Sequence, residues 1–155
     1  MANRVRSTSA RRPVAAPAPR VIIELQRATH VAGVRLEELL TDAGLSQGEA
    51  HVIALLADGA EHTVGELQHD LGHRPSTLSG ILDRLESRAL IRRELNDADR
   101  RSFLISLTRS GRAAARTVID VLQTIEQSAL KDVAARDVAG FHAVARALAE
   151  TSTSR

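Results

Sequence analysis

The sequence predicts a mainly α-helical fold, and three observations lead to that prediction. The chain has 155 residues, of which 43% are hydrophobic, and this suits one compact domain. Its aromatic residues are two Phe only, so the core must be built from leucine, isoleucine, valine and alanine. Leucine and alanine favour helix. Apolar residues recur at helical spacing over most of the chain and alternate only in a short stretch after residue 102.

Charge and cysteine content narrow the classes of function. The chain has no Cys, which excludes disulfides, thiol redox sensing and cysteine-ligated zinc, and is typical of a cytoplasmic protein. No apolar run is long enough to cross a membrane, so no membrane partner is expected. The net charge is only +2, but residues 74–112 contain nine Arg against five acids. This concentration of positive charge indicates a polyanionic partner.

The two ends of the chain are predicted to be disordered. Residues 1–20 contain five Arg and no acid, and they are otherwise rich in Ala, Pro and Ser, which cannot form a core. Such a basic arm either adds salt-dependent affinity for DNA or is a solvated tail. Residues 151–155 are predicted to form a short disordered tail.

Two capping boxes organise the first half of the chain. Residues 21–42 are predicted to form a helix, with Gly44 as its C-cap. Ser46-Gln-Gly-Glu49 and Thr63-Val-Gly-Glu66 each place a hydroxyl three residues before a glutamate. In this pattern the hydroxyl and the carboxylate each accept a hydrogen bond from the other residue's backbone N–H, so each box begins a helix.

The next predicted helix, residues 75–88, has one apolar and one polar face. Pro75 fits its first turn, and four apolar residues follow at helical spacing: Leu78, Ile81, Leu82 and Leu85. The opposite face has small or polar residues: Ser76, Thr77, Ser79, Gly80, Asp83 and Arg84. A DNA major groove admits one helix, and small outward residues let its backbone approach the bases.

A two-stranded hairpin is predicted after this helix. Residues 91–95 form its first strand, Asn96-Asp97-Ala98-Asp99 is turn chemistry, and Phe103, Ile105 and Leu107 alternate with the residues between them in the second strand. Thr108 then caps a long helix, and a final helix follows. A helix, a short helix, a helix with a polar face and a ribbon together make a winged helix-turn-helix. The hairpin, or wing, can place arginines in the minor groove of DNA.

Adjacent arginines, Arg100 and Arg101, lie at the tip of this wing beside Asp97 and Asp99. The carboxylates would repel phosphate unless they accept hydrogen bonds from the arginines. An aspartate that does so fixes the direction of a flexible side chain before DNA arrives. The arginines are therefore predicted to contact DNA, and the alternative is that they are solvated turn charges.

Residues 55–112 resemble the core of the multiple antibiotic resistance regulator (MarR) family. The most specific part is Asp99-Arg100-Arg101, followed six residues later by Leu107-Thr108 and then by Gly111 and Arg112. The wider resemblance covers roughly residues 21–150. It implies a bacterial homodimeric transcriptional regulator without a cofactor. Such proteins are usually repressors that bind palindromic double-stranded DNA operators and are released by a small-molecule effector.

The resemblance also implies an organisation and roles for residues. Residues 21–45 and 108–150 would be dimerisation helices, and residues 46–107 the winged-helix DNA-binding core. Arg101 would enter the minor groove with Asp99 orienting it, and the residues facing the major groove would be Ser76, Thr77, Ser79, Gly80 and Arg84. Arg74 stands where family members often have a small polar N-cap, and it is expected to meet a phosphate instead.

Histidines are the remaining candidates for ligand or metal binding. His51 and Ala50 stand where the family often places an aromatic residue of its ligand pocket, and a neutral imidazole there could hydrogen-bond an anionic ligand such as a phenolic acid. His69 and His73 have a metal-ligand spacing, but Gly72 is expected to end the helix between them. They are therefore interpreted as surface histidines, with no metal site.

An enzyme is not expected. The sequence has no nucleophile elbow, no glycine-rich phosphate loop and no cluster of carboxylates. The alternative to a DNA-binding regulator is a winged-helix protein-interaction module without DNA specificity. Such a module would not need paired wing arginines next to a small-residue helix face.

Overall fold

The structure, a computed structural model, describes residues 20–150. The predicted arm and tail lie outside these residues, apart from Arg20, with which the first helix begins. The helices are α1 (Arg20–Leu39), α2 (Gln47–Leu55), α3 (Val64–Leu71), α4 (Pro75–Ser87), α5 (Arg109–Leu130) and α6 (Ala135–Glu150). The strands are β1 (His62–Thr63), β2 (Ile91–Leu95) and β3 (Phe103–Leu107). Among the helices described, none is long and apolar enough to span a membrane. The predicted mainly helical, winged helix-turn-helix fold is confirmed.

Both predicted capping boxes are present. The Ser46 hydroxyl accepts from the Glu49 backbone N–H at 3.4 Å, and Glu49 Oε2 accepts from the Ser46 N–H at 2.9 Å. The corresponding bonds between Thr63 and Glu66 are 3.2 and 2.7 Å long. These bonds satisfy backbone donors that would otherwise be free, and so they set where α2 and α3 begin.

The three strands form one antiparallel sheet in the order β1-β3-β2. Strand β1 was not predicted, because two residues are too short to show an alternating pattern. It pairs His62 with Ile105 and Thr63 with Leu104. The wing pairs β2 with β3, from Ile91 opposite Leu107 to Leu95 opposite Phe103.

Alternating apolar residues were predicted to be buried along β3, and the structure shows this only in part. Ile105 and Leu107 are buried, but Phe103 is 46% exposed and its cross-strand partner Leu95 is 59% exposed. The outer end of the wing therefore extends beyond the core that covers its inner end.

A single apolar core joins the winged helix to the first half of α5. The cluster runs from Leu36, near the end of α1, to Val118, in the first half of α5. Its largest fully buried side chains include Leu40, Ile53, Leu56, Leu67, Leu78, Leu82, Leu85 and Ile105. Helix α6 has no buried residue. Large apolar side chains stay exposed on α1, on α6 and around the turn between α5 and α6, among them Val21, Ile22, Ile23, Val31, Val34, Leu130, Val133, Phe141 and Val144.

Thr108 joins the wing to α5, as predicted. Its hydroxyl accepts from the Gly111 N–H at 3.0 Å and lies 2.7 Å from the Ala89 carbonyl, to which it donates. A Cβ on Gly111 would collide with the carbonyl oxygen of Leu90. The threonine and the glycine of this motif therefore let α5 begin directly against the turn that follows α4.

Candidate nucleic-acid interface

Helix α4 presents the residues predicted to face DNA on its outer side. Ser76, Thr77, Ser79 and Arg84 are exposed, and Gly80 is half-buried. The apolar residues of the opposite face are all buried: Leu78, Ile81, Leu82 and Leu85. Burial of that face holds the helix against the core and leaves the small polar face open to a partner.

The beginning of α4 lacks a side-chain cap. Arg74 is its N-cap residue and Pro75 is in its first turn, and no side chain accepts from the free backbone N–H groups there. Only the Arg74 carbonyl is used, accepting from the N–H groups of Thr77 and Leu78 at 3.0 and 3.1 Å. Because Pro75 has no N–H and those of Thr77 and Leu78 are used, this turn offers a phosphate the Ser76 N–H and the exposed side chain of Arg74.

Arg84 is held by an acid that sequence reasoning had assigned only to a helix cap. Its Nε donates to Glu49 Oε1 at 3.1 Å, although Glu49 is 35 residues earlier in the chain. Glu49 is only 4% exposed. Burial alone would raise its pKa, but hydrogen bonds from Ser46 and Arg84 outweigh that effect and hold the pKa below its usual value. Glu49 therefore stays ionised, and capping-box spacing by itself gave no sign of the contact with Arg84.

Arg88 anchors the C-terminal end of α4 to the turn after α1. Its Nη1 donates to the Gly44 carbonyl at 2.8 Å and its Nη2 to the Ala43 carbonyl at 3.0 Å. It also lies 3.9 Å from Glu49 Oε2. Arg88 therefore holds the end of α4 against the turn after α1, and its side chain is occupied by contacts within the fold.

The wing is tied to α4 by Arg93. Its Nη2 donates to Asp83 Oδ1 at 2.6 Å, and its Nε lies 3.2 Å from Glu86 Oε2. Asp83 and Glu86 are on α4, whereas Arg93 is on β2. These ion pairs fix the wing relative to α4.

The tip of the wing is closed by hydrogen bonds of its own turn. Asn96 Oδ1 accepts from the Ala98 N–H at 3.0 Å, and Asp99 Oδ1 accepts from the Arg101 N–H at 3.1 Å. Within residues 20–150, the guanidinium groups of Arg100 and Arg101 form no hydrogen bond or ion pair with the protein, and both residues are exposed. The predicted hydrogen bond from an arginine side chain to Asp99 is therefore wrong for the free protein. Asp99 holds the backbone of Arg101 instead.

His51 lies in an open cleft of about 230 Å³ between α1, α2 and α5. The cleft is lined by Gly33, Leu36, Gln47, His51, Leu122 and Ile125, among others. Burial lowers the pKa of His51, and the nearby His73 lowers it further, so the imidazole is neutral near pH 7. A neutral ring can both donate and accept a hydrogen bond.

The two histidines with metal-ligand spacing are separated by a helix end. Helix α3 ends at Leu71, and Gly72 is in the left-handed conformation at φ 62°, as expected from the sequence. His69 is therefore on α3 and His73 is in the loop before α4. In the described part of the chain, no group of three or more His, Asp or Glu side chains is arranged to hold a metal ion.

Comparison with known proteins agrees with this architecture. The model of the MarR family matches residues 45–103. The HTH-type transcriptional regulator YwhA of Bacillus subtilis is 24% identical over 116 residues, which are 75% of this chain and 84% of YwhA.

Solved structures show the same fold. The reduced form of MarR from E. coli has a TM-score of 0.65 and 25% identity, over 86% of this chain and 96% of its own. The regulator BldR from Sulfolobus solfataricus has a TM-score of 0.74 at 18% identity, over 82% of this chain and 93% of its own. The family match falls on the winged core, and the structural likeness extends to the terminal helices. The winged core therefore matches the MarR family of winged helix-turn-helix transcriptional regulators, and the whole described chain has the fold of that family's solved structures.

Proposed function

We propose that the protein is a homodimeric repressor that binds a palindromic DNA operator and is released by a small-molecule effector. One observation carries the DNA-binding part of this proposal. The polar face of α4 and the two free arginines of the wing tip are both exposed, and Arg93 holds the two elements in a fixed relation. A fixed helix and wing can engage adjacent grooves of one duplex.

Each element has a distinct role in the proposed complex. Helix α4 enters the major groove, where Ser76, Thr77, Ser79 and Arg84 meet base edges and Gly80 permits close approach. Arg74 and the Ser76 N–H at the start of α4 bind a phosphate. Arg101 enters the flanking minor groove, Arg100 contacts the backbone, and Asp99 supports both through the turn.

The dimer is proposed from the apolar side chains that the single chain leaves exposed on α1 and α6. Ile23, Phe141 and Val144 are 56%, 54% and 46% exposed. A second copy that covers this surface would give a two-fold dimer. Its recognition helices would then be spaced about 34 Å apart, or by a multiple of that distance, to meet a palindrome.

The effector site is proposed at the cleft that contains His51. The neutral imidazole and the amide of Gln47 supply hydrogen-bonding groups, and Leu36, Leu122 and Ile125 supply apolar walls. A small aromatic acid matches this combination. Because the cleft is bounded by the dimerisation helices and by α2 of the winged core, a bound ligand would change the spacing of the two recognition helices.

A protein-interaction module is the second candidate, and the wing carries the observation that favours it. Leu95 and Phe103 form an exposed apolar pair beyond the core. A protein partner could cover that pair, whereas the free arginines beside it favour DNA.

Fluorescence anisotropy tests the proposed function. The DNA is the region upstream of the protein's own gene, compared with a shuffled duplex across a series of salt concentrations. Tight binding to the native duplex alone, at two chains per site, is expected. Equal and steeply salt-dependent binding to both duplexes would show phosphate contacts without sequence recognition. Absence of binding to either, together with a stable protein partner, would favour the interaction module.

A further inference from the structure

We propose that Glu49 is a positioning residue for DNA recognition, because its buried carboxylate fixes the guanidinium of Arg84 on the recognition helix before DNA binds. The inference rests on the proposed function. It adds to the proposed DNA contacts a residue that does not itself face DNA, because Glu49 belongs to the capping box of α2.

Both oxygens of the Glu49 carboxylate are engaged. Oε2 accepts from the Ser46 N–H at 2.9 Å and lies 3.0 Å from the Ser46 hydroxyl. Oε1 accepts from Arg84 Nε at 3.1 Å. The cap holds the carboxylate in one orientation, so the arginine that binds its other oxygen is held in one orientation too.

The contact between the two helices is close at this point. A Cβ on Gly48 would lie 2.9 Å from Ile81 Cδ1, so the start of α2 is packed directly on α4. A Cβ on Gly80 would lie 3.6 Å from Arg84 Nη1, which shows that the guanidinium lies beside the backbone of Gly80. Arg84 is therefore placed between the carboxylate and the small-residue face of the recognition helix.

This arrangement leaves the outer donors of Arg84 available. Its ion pair with Glu49 uses Nε, and in the described chain Nη1 and Nη2 form no hydrogen bond with the protein. The side chain is 57% exposed. Paired outer N–H groups are the donors that an arginine uses towards a guanine edge or a phosphate. A side chain that is already oriented loses less conformational freedom when it binds.

A second capping box shows that the cap alone does not require this arrangement. Glu66 makes the same pair of bonds with Thr63, but it is exposed and forms no ion pair with an arginine of residues 20–150. Glu66 is thus a matched control for any effect that comes only from helix capping.

The test is a double-mutant cycle of Glu49→Gln and Arg84→Gln, with Glu66→Gln as the control. Glutamine can still serve in a capping box, so Glu49→Gln removes mainly the charge. The measurement is the ratio of affinities for the native upstream duplex and the shuffled duplex. We expect this ratio to fall roughly tenfold in Glu49→Gln, since a hydrogen bond to a charged group is stronger than a neutral one. In the Arg84→Gln background the same change should have no further effect, and Glu66→Gln should match the wild type.

Two results would overturn the positioning role. One is an unchanged ratio in Glu49→Gln, and the other is an equal loss with and without Arg84, which would show that Glu49 acts only through the fold. Urea unfolding checks that the variants are folded. If Glu49→Gln does not fold, Glu49→Asp replaces it, because the shorter side chain keeps the charge and leaves Arg84 unchanged but withdraws the carboxylate from Arg84 Nε, so it should lower the ratio similarly. Absence of any preference in both the wild type and Glu66→Gln would instead overturn the proposed function, and the positioning role with it.

Discussion

The winged core and the terminal helices bury their apolar residues differently. In the winged core, side chains such as Ile53, Leu67 and Leu82 are almost completely buried within one chain. On α1 only Gly33 and Leu36 are buried, and α6 buries none. These two helices leave large apolar side chains exposed, Ile23 and Phe141 among them. No large apolar side chain of α2, α3 or α4 is exposed in this way.

This difference shows which part of the fold is complete in a single chain. Burial of apolar area is the main favourable term in folding, and a helix that buries little of it is stable only with a partner. The winged core therefore supplies a rigid frame for the proposed DNA contacts, whereas the terminal helices carry the exposed apolar surface that we propose is covered by a second copy. Substitutions in the winged core should therefore change stability or DNA affinity, whereas substitutions on the terminal helices should change assembly.

The largest effect is expected for Phe141→Asp. In a two-fold dimer this substitution places an uncompensated carboxylate in the interface of each chain, at a cost of several kcal/mol. We expect the dimer dissociation constant to rise by about 1,000-fold or more, measured by sedimentation velocity over a concentration series.

The matched control is Leu95→Asp, which puts the same charge on an exposed apolar residue of the wing. It should leave the dimer intact. Equal weakening by both substitutions would contradict the assignment of the dimer surface to α6.

The next effect concerns two glycines, one where α5 packs against the winged core and one in α6. Gly111→Ala forces a Cβ against the carbonyl of Leu90, so α5 must move away from the turn after α4. We expect a loss of about 3 kcal/mol in the free energy of unfolding, measured in urea. Gly140→Ala, in α6, meets nothing within 4 Å and should stabilise by about 0.5–1 kcal/mol. If Gly111→Ala were neutral, the close approach of α5 to Leu90 would not be a constraint on the fold.

A smaller effect on DNA affinity separates the wing from the terminal helices. Arg101→Ala should weaken binding to the native duplex by about 2 kcal/mol and leave the dimer unchanged. Arg136→Ala removes the same charge from α6, where the arginine lies 3.6 Å from Asp137. It should have little effect on affinity, so equal losses would mean that the wing contributes only net charge.

The sequence predicted the winged core well because its signals are local. Capping boxes, a proline and an apolar period of helical spacing are each contained in a few residues, and the structure has Ser46, Thr63 and Pro75 where these signals place them. The small face of α4 follows from the same period.

The rest depends on contacts between residues distant in the chain. The sequence assigned Glu49 to a cap, but its contact with Arg84 requires two helices to pack at Gly48. Asp99 was predicted to accept from an arginine side chain, whereas turn geometry directs it to the backbone N–H of Arg101. Strand β1 is too short for any periodicity and exists only through its pairing with β3.

The smallest expected effect is the pH dependence of His51, at the junction of the two regions. Its pKa is lowered in the folded chain from an ordinary value of 6.5, first by burial and then by His73. As the pH falls through that value, the unfolded chain takes up a proton that the folded chain does not, so stability present at higher pH is lost. Because His51 is only half-buried, the loss between about pH 7.5 and pH 5.5 should stay below ~1 kcal/mol. Urea unfolding at these two pH values should show a smaller loss in His51→Gln than in the wild type. An identical loss in both proteins would mean that the cleft does not exclude the charged imidazole, and an anionic effector would then meet a cation there.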